Sequence, residues 1–380
     1  MSRKRINGEG TISQRADGRW QAIYTRGVRP DGKPDRRWIY GKTAAEVSEK
    51  LSKALASLRD GSYVEPGRIT VGQWLDVWLR DYVKRPGAKV STAGTYEDII
   101  EHRVKPYLGG YKLQKLTGDR VQRWVNELTE AGYASASVRG AHRVLSCALV
   151  QAVRNRMLNY NAAQYTILPK LVQAEKKALT QDEQARLVVA LPEDSGGRAL
   201  AFILHTGLRI GECCALSWDD VRGDMISIRR TVQRTRNYEG GSKTAVTFDT
   251  PKSDASVRDI PLTAEAQAIL ARQRAWQVEE SLKLGRPLPE WVFANGAGGV
   301  LEASHVTKVL YRACDAIGIE HRGPHTLRHT FGTRLNERGV DANTIAKLMG
   351  HSNPAITMQT YIHTDEQQLR RAIGALERPV

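Results

Sequence analysis

From Gly10 to Gly41 the chain reads GTISQRADGRWQAIYTRGVRPDGKPDRRWIYG, with apolar and polar positions alternating around two turn signals, Asp17-Gly18 and Asp31-Gly32. Alternation broken by Asp-Gly pairs predicts a meander of about three short strands. The period then lengthens. In KTAAEVSEKLSKALASLRDG the apolar residues return every three or four positions, as on one face of a helix. Thr43 stands at its N-cap, Glu46 supplies the other half of a capping box, and Gly61 is the stop. Three strands and a helix bury little, so this module presents side chains such as Arg19, Arg36 and Arg37 to a partner, with Trp20 and Trp38 assigned to its core.

Four further helical patterns follow: TVGQWLDVWLRDYV, STAGTYEDIIEHRVKPYLG, LTGDRVQRWVNELTEAG and SASVRGAHRVLSCALVQAVRNRM. With Thr70, Ser91, Thr117 and Ser135 as caps they predict a bundle of about four helices over residues 65–165. YTILPKLVQAEKKALT, extended and basic around Pro169, reads as a linker, and TQDEQARLVVAL restarts helical periodicity behind a Thr180/Glu183 capping box. The boundaries are placed at 1–62, 65–168 and 175–380. The fold class is mainly α with small β elements: a three-stranded sheet plus helix, a helical bundle, then a mixed, mostly helical domain.

Charge gives these modules different jobs. The 380 residues carry 57 Lys and Arg against 41 Asp and Glu, and residues 1–172 hold 30 basic against 16 acidic side chains, so +14 of the +16 lies there. A basic surface confined to the first half implies a polyanionic partner for it and other work for the nearly neutral remainder. Cys147, Cys213, Cys214 and Cys314 form no CxxC pair, which fits reduced thiols in a cytosolic protein. The basic start lacks an apolar h-region and no stretch has the length of a membrane span, so a soluble, cytoplasmic protein is expected.

The candidate chemistry lies in the last domain. HTLRHTF sets His325 and His329 at i and i+4, the spacing of a zinc site, but Thr326 occupies the position where HExxH needs its general base, and no third ligand is apparent. No metal and no cofactor are assigned. HTGLRIGECCALSWDDV places Arg209 just after a glycine at a helix junction, with Glu212 positioned to orient it. TFDTPKSDASVRDIPL has strand character on both sides of a turn, with Lys252 near the tip of that hairpin. LMGHSNPAITMQTYIH adds His351 and Tyr361. Two arginines, a lysine, two histidines and a tyrosine suit transesterification at a phosphodiester. Guanidiniums neutralise the charge growing on the non-bridging oxygens, a tyrosine attacks phosphorus, and acid and base groups move the protons.

In order and spacing, TGLRIGE, HTLRHTF, GHS and the downstream Tyr resemble the signature blocks of the tyrosine recombinases, of the phage or integrative-element integrase type. The resemblance covers nearly the whole chain, since such integrases commonly carry a small arm-type DNA-binding domain and a helical core-binding domain ahead of the catalytic one. It implies a site-specific recombinase that cleaves and rejoins DNA through a 3′-phosphotyrosyl intermediate, with integration as its direction and excision as the reverse. Arg209 and Arg328 would hold the scissile phosphate, and Lys252 would protonate the departing 5′-oxygen. His325 would assist proton transfer from the nucleophile, His351 would brace the phosphate, and Tyr361 would form the covalent link. Tyr361 follows His351 by ten positions where many members have nine, and the SNPAIT turn with Pro354 absorbs the difference. Tyr311 and Tyr238 follow no histidine block. The implied partners are double-stranded DNA at core-type and arm-type sites, three further copies in a tetramer, and an excisionase or a host DNA-bending protein. The amphipathic tail TDEQQLRRAIGALERPV is expected to dock on a neighbouring protomer. A type IB topoisomerase-like strand transferase and a non-catalytic DNA-binding regulator are the alternatives.

Overall fold

The computed structural model describes residues 10–60, 63–64, 67–86, 88–172, 177–238, 240–249 and 256–351. Lys252, Tyr361 and the expected tail helix lie outside the described residues. The chain divides into two compact units, 1–172 and 173–380.

The first unit opens with an antiparallel meander of β1 (Thr11–Gln14), β2 (Trp20–Val28) and β3 (Pro34–Gly41). Both turns use the same chemistry. Asp17 Oδ1 accepts the Arg19 N–H and Asp31 Oδ1 accepts the Lys33 N–H, each at 3.1 Å. Gly18 and Gly32 close these turns, their N–H groups bonding the Arg15 and Arg29 carbonyls at 3.0 and 2.9 Å, and take the left-handed φ of +78° and +79° that glycine adopts without strain. Helix α1 (Ala44–Arg59) packs Val47 and Leu51 against Ala22 and Tyr24 on one face of the sheet. No described helix or strand covers the other face. Arg36, Trp38 and Tyr40 alternate along β3 toward solvent, so Trp38, 49% exposed, is not the core residue expected of it. Trp20 is partly buried against the small core, as expected.

The bundle consists of α2 (Val71–Trp78), α3 (Val90–Ile99), α4 (Lys105–Leu108), α5 (Gly118–Glu130) and α6 (Ser135–Arg154), with Trp74, Trp124, Leu128 and Leu145 in its core. Two expected helices contain π-helical turns, Leu79–Val83 and Ile100–Val104. The second joins α3 to α4 just before Pro106, which has no N–H to continue an α-helical ladder. Thr70, Thr117 and Thr180 cap their helices as expected. Ser91 does not, because α3 starts at Val90 behind Lys89, and Ser135 is the first helical residue, its hydroxyl accepting the Val172 N–H instead. Thr43 accepts the Glu46 N–H, but Glu46 reaches past the cap to the Lys42 N–H, so the expected box closes one residue early.

The second unit surrounds a core of Phe202, Leu204, Ile228, Ile260, Phe293, Leu310 and Leu327, each such side chain contributing roughly 1.5–3 kcal/mol by burial. Its helices are α7 (Gln181–Ala190), α8 (Ser195–Thr206), α9 (Ile210–Cys214), α10 (Ala264–Leu284), α11 (Ala303–Ile317), α12 (Pro324–Glu337) and α13 (Ala342–Met349). Its strands are β4 (Val221–Arg222), β5 (Met225–Ile228), β6 (Thr231–Arg236), β7 (Thr244–Asp249) and β8 (Arg258–Pro261). The expected hairpin around Lys252 is corrected. β7 pairs with β6, and β8 pairs with β5 in a separate sheet of order β4-β5-β8. Lys252 itself lies outside the described residues, and β7, which precedes it, already has β6 as its partner. No described helix is long and apolar enough to cross a membrane. This mainly α architecture with small antiparallel sheets is the fold class the sequence predicts.

Candidate active site

Helix α8 ends at Gly207 in the left-handed region, with φ +66°. The chain turns there, and two residues later Arg209 becomes the N-cap of α9. Glu212, one turn into α9, accepts the Arg209 N–H at 3.0 Å and the Arg209 Nη1–H at 2.6 Å. The sequence expectation that Glu212 orients Arg209 is met in this way, from backbone and side chain together. Gly211 must be glycine because a Cβ there would lie 2.5 Å from Thr231 Oγ1 and 2.7 Å from the Val232 carbonyl, where β6 crosses the turn.

Glu212 also binds Arg258, a residue sequence reasoning missed. Arg258 Nη2 lies 3.0 Å from Glu212 Oε2, so one buried carboxylate stands between two guanidiniums. Burial alone would push the Glu212 carboxyl up, but the charges and hydrogen bonds of Arg258 and then Arg209 hold it below the usual carboxylate range. A signal was present in the sequence. Arg258 is two positions before Ile260 on a strand, so it shares the face that enters the core, and a charge there requires a buried partner.

Three arginines then meet the end of one helix. Arg258 Nε donates to the Leu348 carbonyl at 2.7 Å, Arg328 Nη2 donates to the Met349 carbonyl, and Arg209 Nη2 donates to the Gly350 carbonyl at 3.0 Å. The last carbonyls of a helix lack partners within it and carry the negative end of its dipole, so guanidiniums gather there. Helix α13 ends because Gly350 turns left-handed at φ +63°. Arg328 also donates through Nη1 to the Gly207 carbonyl at 2.7 Å and is 1% exposed. Arg209 keeps 37% of its side-chain surface.

His351 follows directly, half-buried, its N–H bonded to the Ala346 carbonyl at 3.0 Å. Burial lowers its pKa to about 4, aided by the charges of Arg328, Arg209, His325 and Arg258, so its imidazole is neutral at physiological pH. His325 is exposed in the first turn of α12, and His329 is buried one turn further on. Leu327 enters the main core, whereas Phe331 joins Ile345 and Met349 in a small cluster of its own and lies under Gly207. The structure thus brings Arg209, Arg328 and His351 together, with the added Arg258 and Glu212. Lys252 and Tyr361 lie outside the described residues. Counting Arg209, Arg258 and Arg328 against Glu212, the cluster carries +2 beside a neutral imidazole, an arrangement that can bind and stabilise a phosphoryl anion.

Residues 177–368 match the model of the phage integrase family, and residues 70–129 match that of the phage integrase N-terminal SAM-like domain. A tyrosine recombinase XerC-like protein of Caldanaerobacter subterraneus is 28% identical over 94% of this chain and 95% of its own length. An integrase of Streptomyces ambofaciens is also 28% identical, over 95% and 94%. Among solved structures, the Tn1549 transposon integrase in complex with transposon right end DNA superposes with a TM-score of 0.68 at 22% identity, covering 82% of this chain and 100% of the other. The lambda integrase tetramer bound to a Holliday junction gives 0.58 at 19% identity, covering 94% and 96%. These two share the fold.

Proposed function

The chain belongs to the phage integrase family and is a tyrosine recombinase, and from that premise we propose that it cleaves and rejoins DNA at attachment sites through a 3′-phosphotyrosyl intermediate. The Tyr361 oxygen attacks phosphorus, the bond from phosphorus to the 5′-oxygen breaks, and that oxygen takes a proton from Lys252. His325 assists departure of the phenolic proton. Reversal by a 5′-hydroxyl from another strand restores the phosphodiester, so bond energy is kept and no nucleotide cofactor is needed. Arg209, with exposed surface and donors left beyond Glu212 and Gly350, holds a non-bridging oxygen. Arg328 holds positive potential beneath the phosphate, and it reaches the phosphate directly by exchanging the neutral Met349 carbonyl for a charged oxygen, the stronger acceptor. Neutral His351 donates one hydrogen bond.

The observation that carries this reading is the convergence of three guanidiniums on the end of α13, two of them sharing Glu212. The basic first 172 residues supply the DNA grip, with residues 1–62 on arm-type sites, 65–168 on core-type sites and 175–380 on the scissile phosphate. Binding two kinds of site lets one protein bridge distant segments of DNA. Four copies are required to exchange strands between two duplexes, and the enzyme works in the cytoplasm of a bacterial cell, with an excisionase or host DNA-bending protein setting direction. The test is a set of nicked suicide duplexes drawn from the DNA flanking the gene. The wild type traps a covalent protein–DNA adduct on one of them and Tyr361→Phe does not. An adduct that persists in the variant removes Tyr361 from its role, and no adduct with the wild type on any duplex overturns the reading.

A further inference from the structure

We propose that Arg258 is a positioning residue for strand cleavage: it neutralises Glu212 so that the charge of Arg209 is left for the phosphate. The proposal rests on the reading that Arg209 holds the scissile phosphate.

The geometry is that of a shared counter-ion. Glu212 is nearly fully buried and has one negative charge for two guanidiniums, Arg209 through Nη1 at 2.6 Å and Arg258 through Nη2 at 3.0 Å. Arg258 keeps 7% of its side-chain surface exposed, whereas Arg209 keeps 37%. The pair Arg258–Glu212 is therefore internally neutral, and Arg209 stands beside it with its charge uncompensated by any other described carboxylate. Without Arg258, the carboxylate would have Arg209 as its remaining ion-pair partner. The two would form a closed ion pair, and the cluster would fall from +2 to +1 where the transition state gains negative charge.

The other contacts of Arg258 explain why a guanidinium is used. Nε holds the Leu348 carbonyl at 2.7 Å and Nη1 holds the Ser256 carbonyl at 3.0 Å, while Nη2 holds Glu212. One planar group thus links α9, the end of α13 and the Ser256 carbonyl just ahead of β8. Lysine carries the charge but cannot span three acceptors in a plane.

The experiment compares wild type, Arg258→Met, Glu212→Gln, the double variant and Arg258→Lys. Each is measured for thermal unfolding, affinity for an intact duplex of the cleaved site, and single-turnover adduct formation on the nicked duplex from pH 5 to 8. Arg258→Met is expected to slow adduct formation by about 10²-fold or more while duplex affinity stays within about threefold, the mark of an interaction used in the transition state. Adding Glu212→Gln removes the uncompensated carboxylate and returns the cluster to +2. The double variant should then recover about tenfold or more over Arg258→Met, a coupling that independent sites would not show. In Arg258→Met the rate should also rise as pH falls, because a protonated Glu212 releases Arg209, and Glu212→Gln should abolish that slope. Arg258→Lys, which preserves charge, should fold and lie between Arg258→Met and wild type. Arg258→Met cleaving within about threefold of wild type, or a double variant whose loss equals the two single losses combined, would overturn the proposal. Should Arg258→Met fail to fold, Arg258→Lys and the double variant decide: both at wild-type rates, or a double variant slower than Glu212→Gln by the full loss seen in Arg258→Lys, overturns it. These outcomes are read only against a wild type that forms the adduct, so failure of the wider reading is separately visible.

Discussion

The guanidinium of Arg328 donates to the carbonyl of Gly207 across 2.7 Å, so the buried arginine of α12 is bonded to the turn that carries Arg209 two residues later. That turn has no room for a side chain. Gly207 has φ +66°, and a Cβ on it would lie 2.4 Å from Cδ1 of Phe331. Gly207→Ala is therefore expected to cost on the order of 2–4 kcal/mol, combining backbone strain with overpacking. Urea unfolding measures it. Adding Phe331→Ala should return the steric part but leave the strain, so the double variant should lose less than the two single losses combined. Strict additivity would show that the ring is not the obstacle.

The low pKa of His351 makes a prediction about acid stability. A histidine whose folded pKa is depressed to about 4, against an ordinary value of 6.5, binds its proton more readily in the unfolded chain. Its contribution to stability is thus fully present above about pH 6.5 and is lost as pH falls from there toward about 4. Burial is the first cause, and the facing charges of Arg328, Arg209, His325 and Arg258 add to it. His351→Gln should flatten the decline of stability between those pH values. NMR titration of the His351 ring in the wild type should show no midpoint near 6.5. An ordinary midpoint there would contradict the electrostatic account of the site.

The sequence made local features legible where a single interaction decides them. The Asp-Gly turns, the Thr180/Glu183 box and the orientation of Arg209 by Glu212 are short-range, and all three stand in the structure. Strand pairing is a long-range competition, and the local pattern points to the wrong partner. β7 and β8 flank a turn signal, yet β7 is already paired with β6, so β8 joins β5. Trp38 departs from expectation for a related reason: the period of two is visible along β3, but which face α1 covers is not. Arg258 is hard to place because its position on the core-facing side of β8 signals only that a partner is needed, and the partners, one carboxylate 46 positions away and two main-chain carbonyls, leave no pattern of residue types.

Trp38 supplies a test that separates stability from binding. Its side chain is exposed on the uncovered face of the meander, between Arg36 and Tyr40, and the Arg15 guanidinium lies 5.6 Å from the centre of the Tyr40 ring. Trp38→Ala should change unfolding stability by no more than about 0.5 kcal/mol, as for an exposed position. Arg36→Ala should weaken binding to arm-type duplex and reduce the slope of log affinity against log salt by about one, because one phosphate is no longer neutralised. A large loss of stability in Trp38→Ala would return that residue to the core. An unchanged salt slope in Arg36→Ala would take the open face away from the DNA.

Arg328→Lys tests the buried arginine by keeping its charge and removing its shape. The guanidinium spans the Gly207 carbonyl at the end of α8 and the Met349 carbonyl at the end of α13, tying two helix ends to α12 beside the small Phe331 cluster. One ammonium on a flexible stem cannot hold both in the same plane, so one buried carbonyl loses its donor, at a cost of about 1–3 kcal/mol. The larger effect should fall on catalysis. Loosening the end of α13 shifts the Gly350 carbonyl that holds Arg209 and the His351 that follows it, and adduct formation should fall by about 10²-fold or more while duplex affinity is nearly kept. Thermal unfolding and single-turnover cleavage of the same preparation separate the two effects. Cleavage at the wild-type rate with lowered stability would leave Arg328 as a structural link alone.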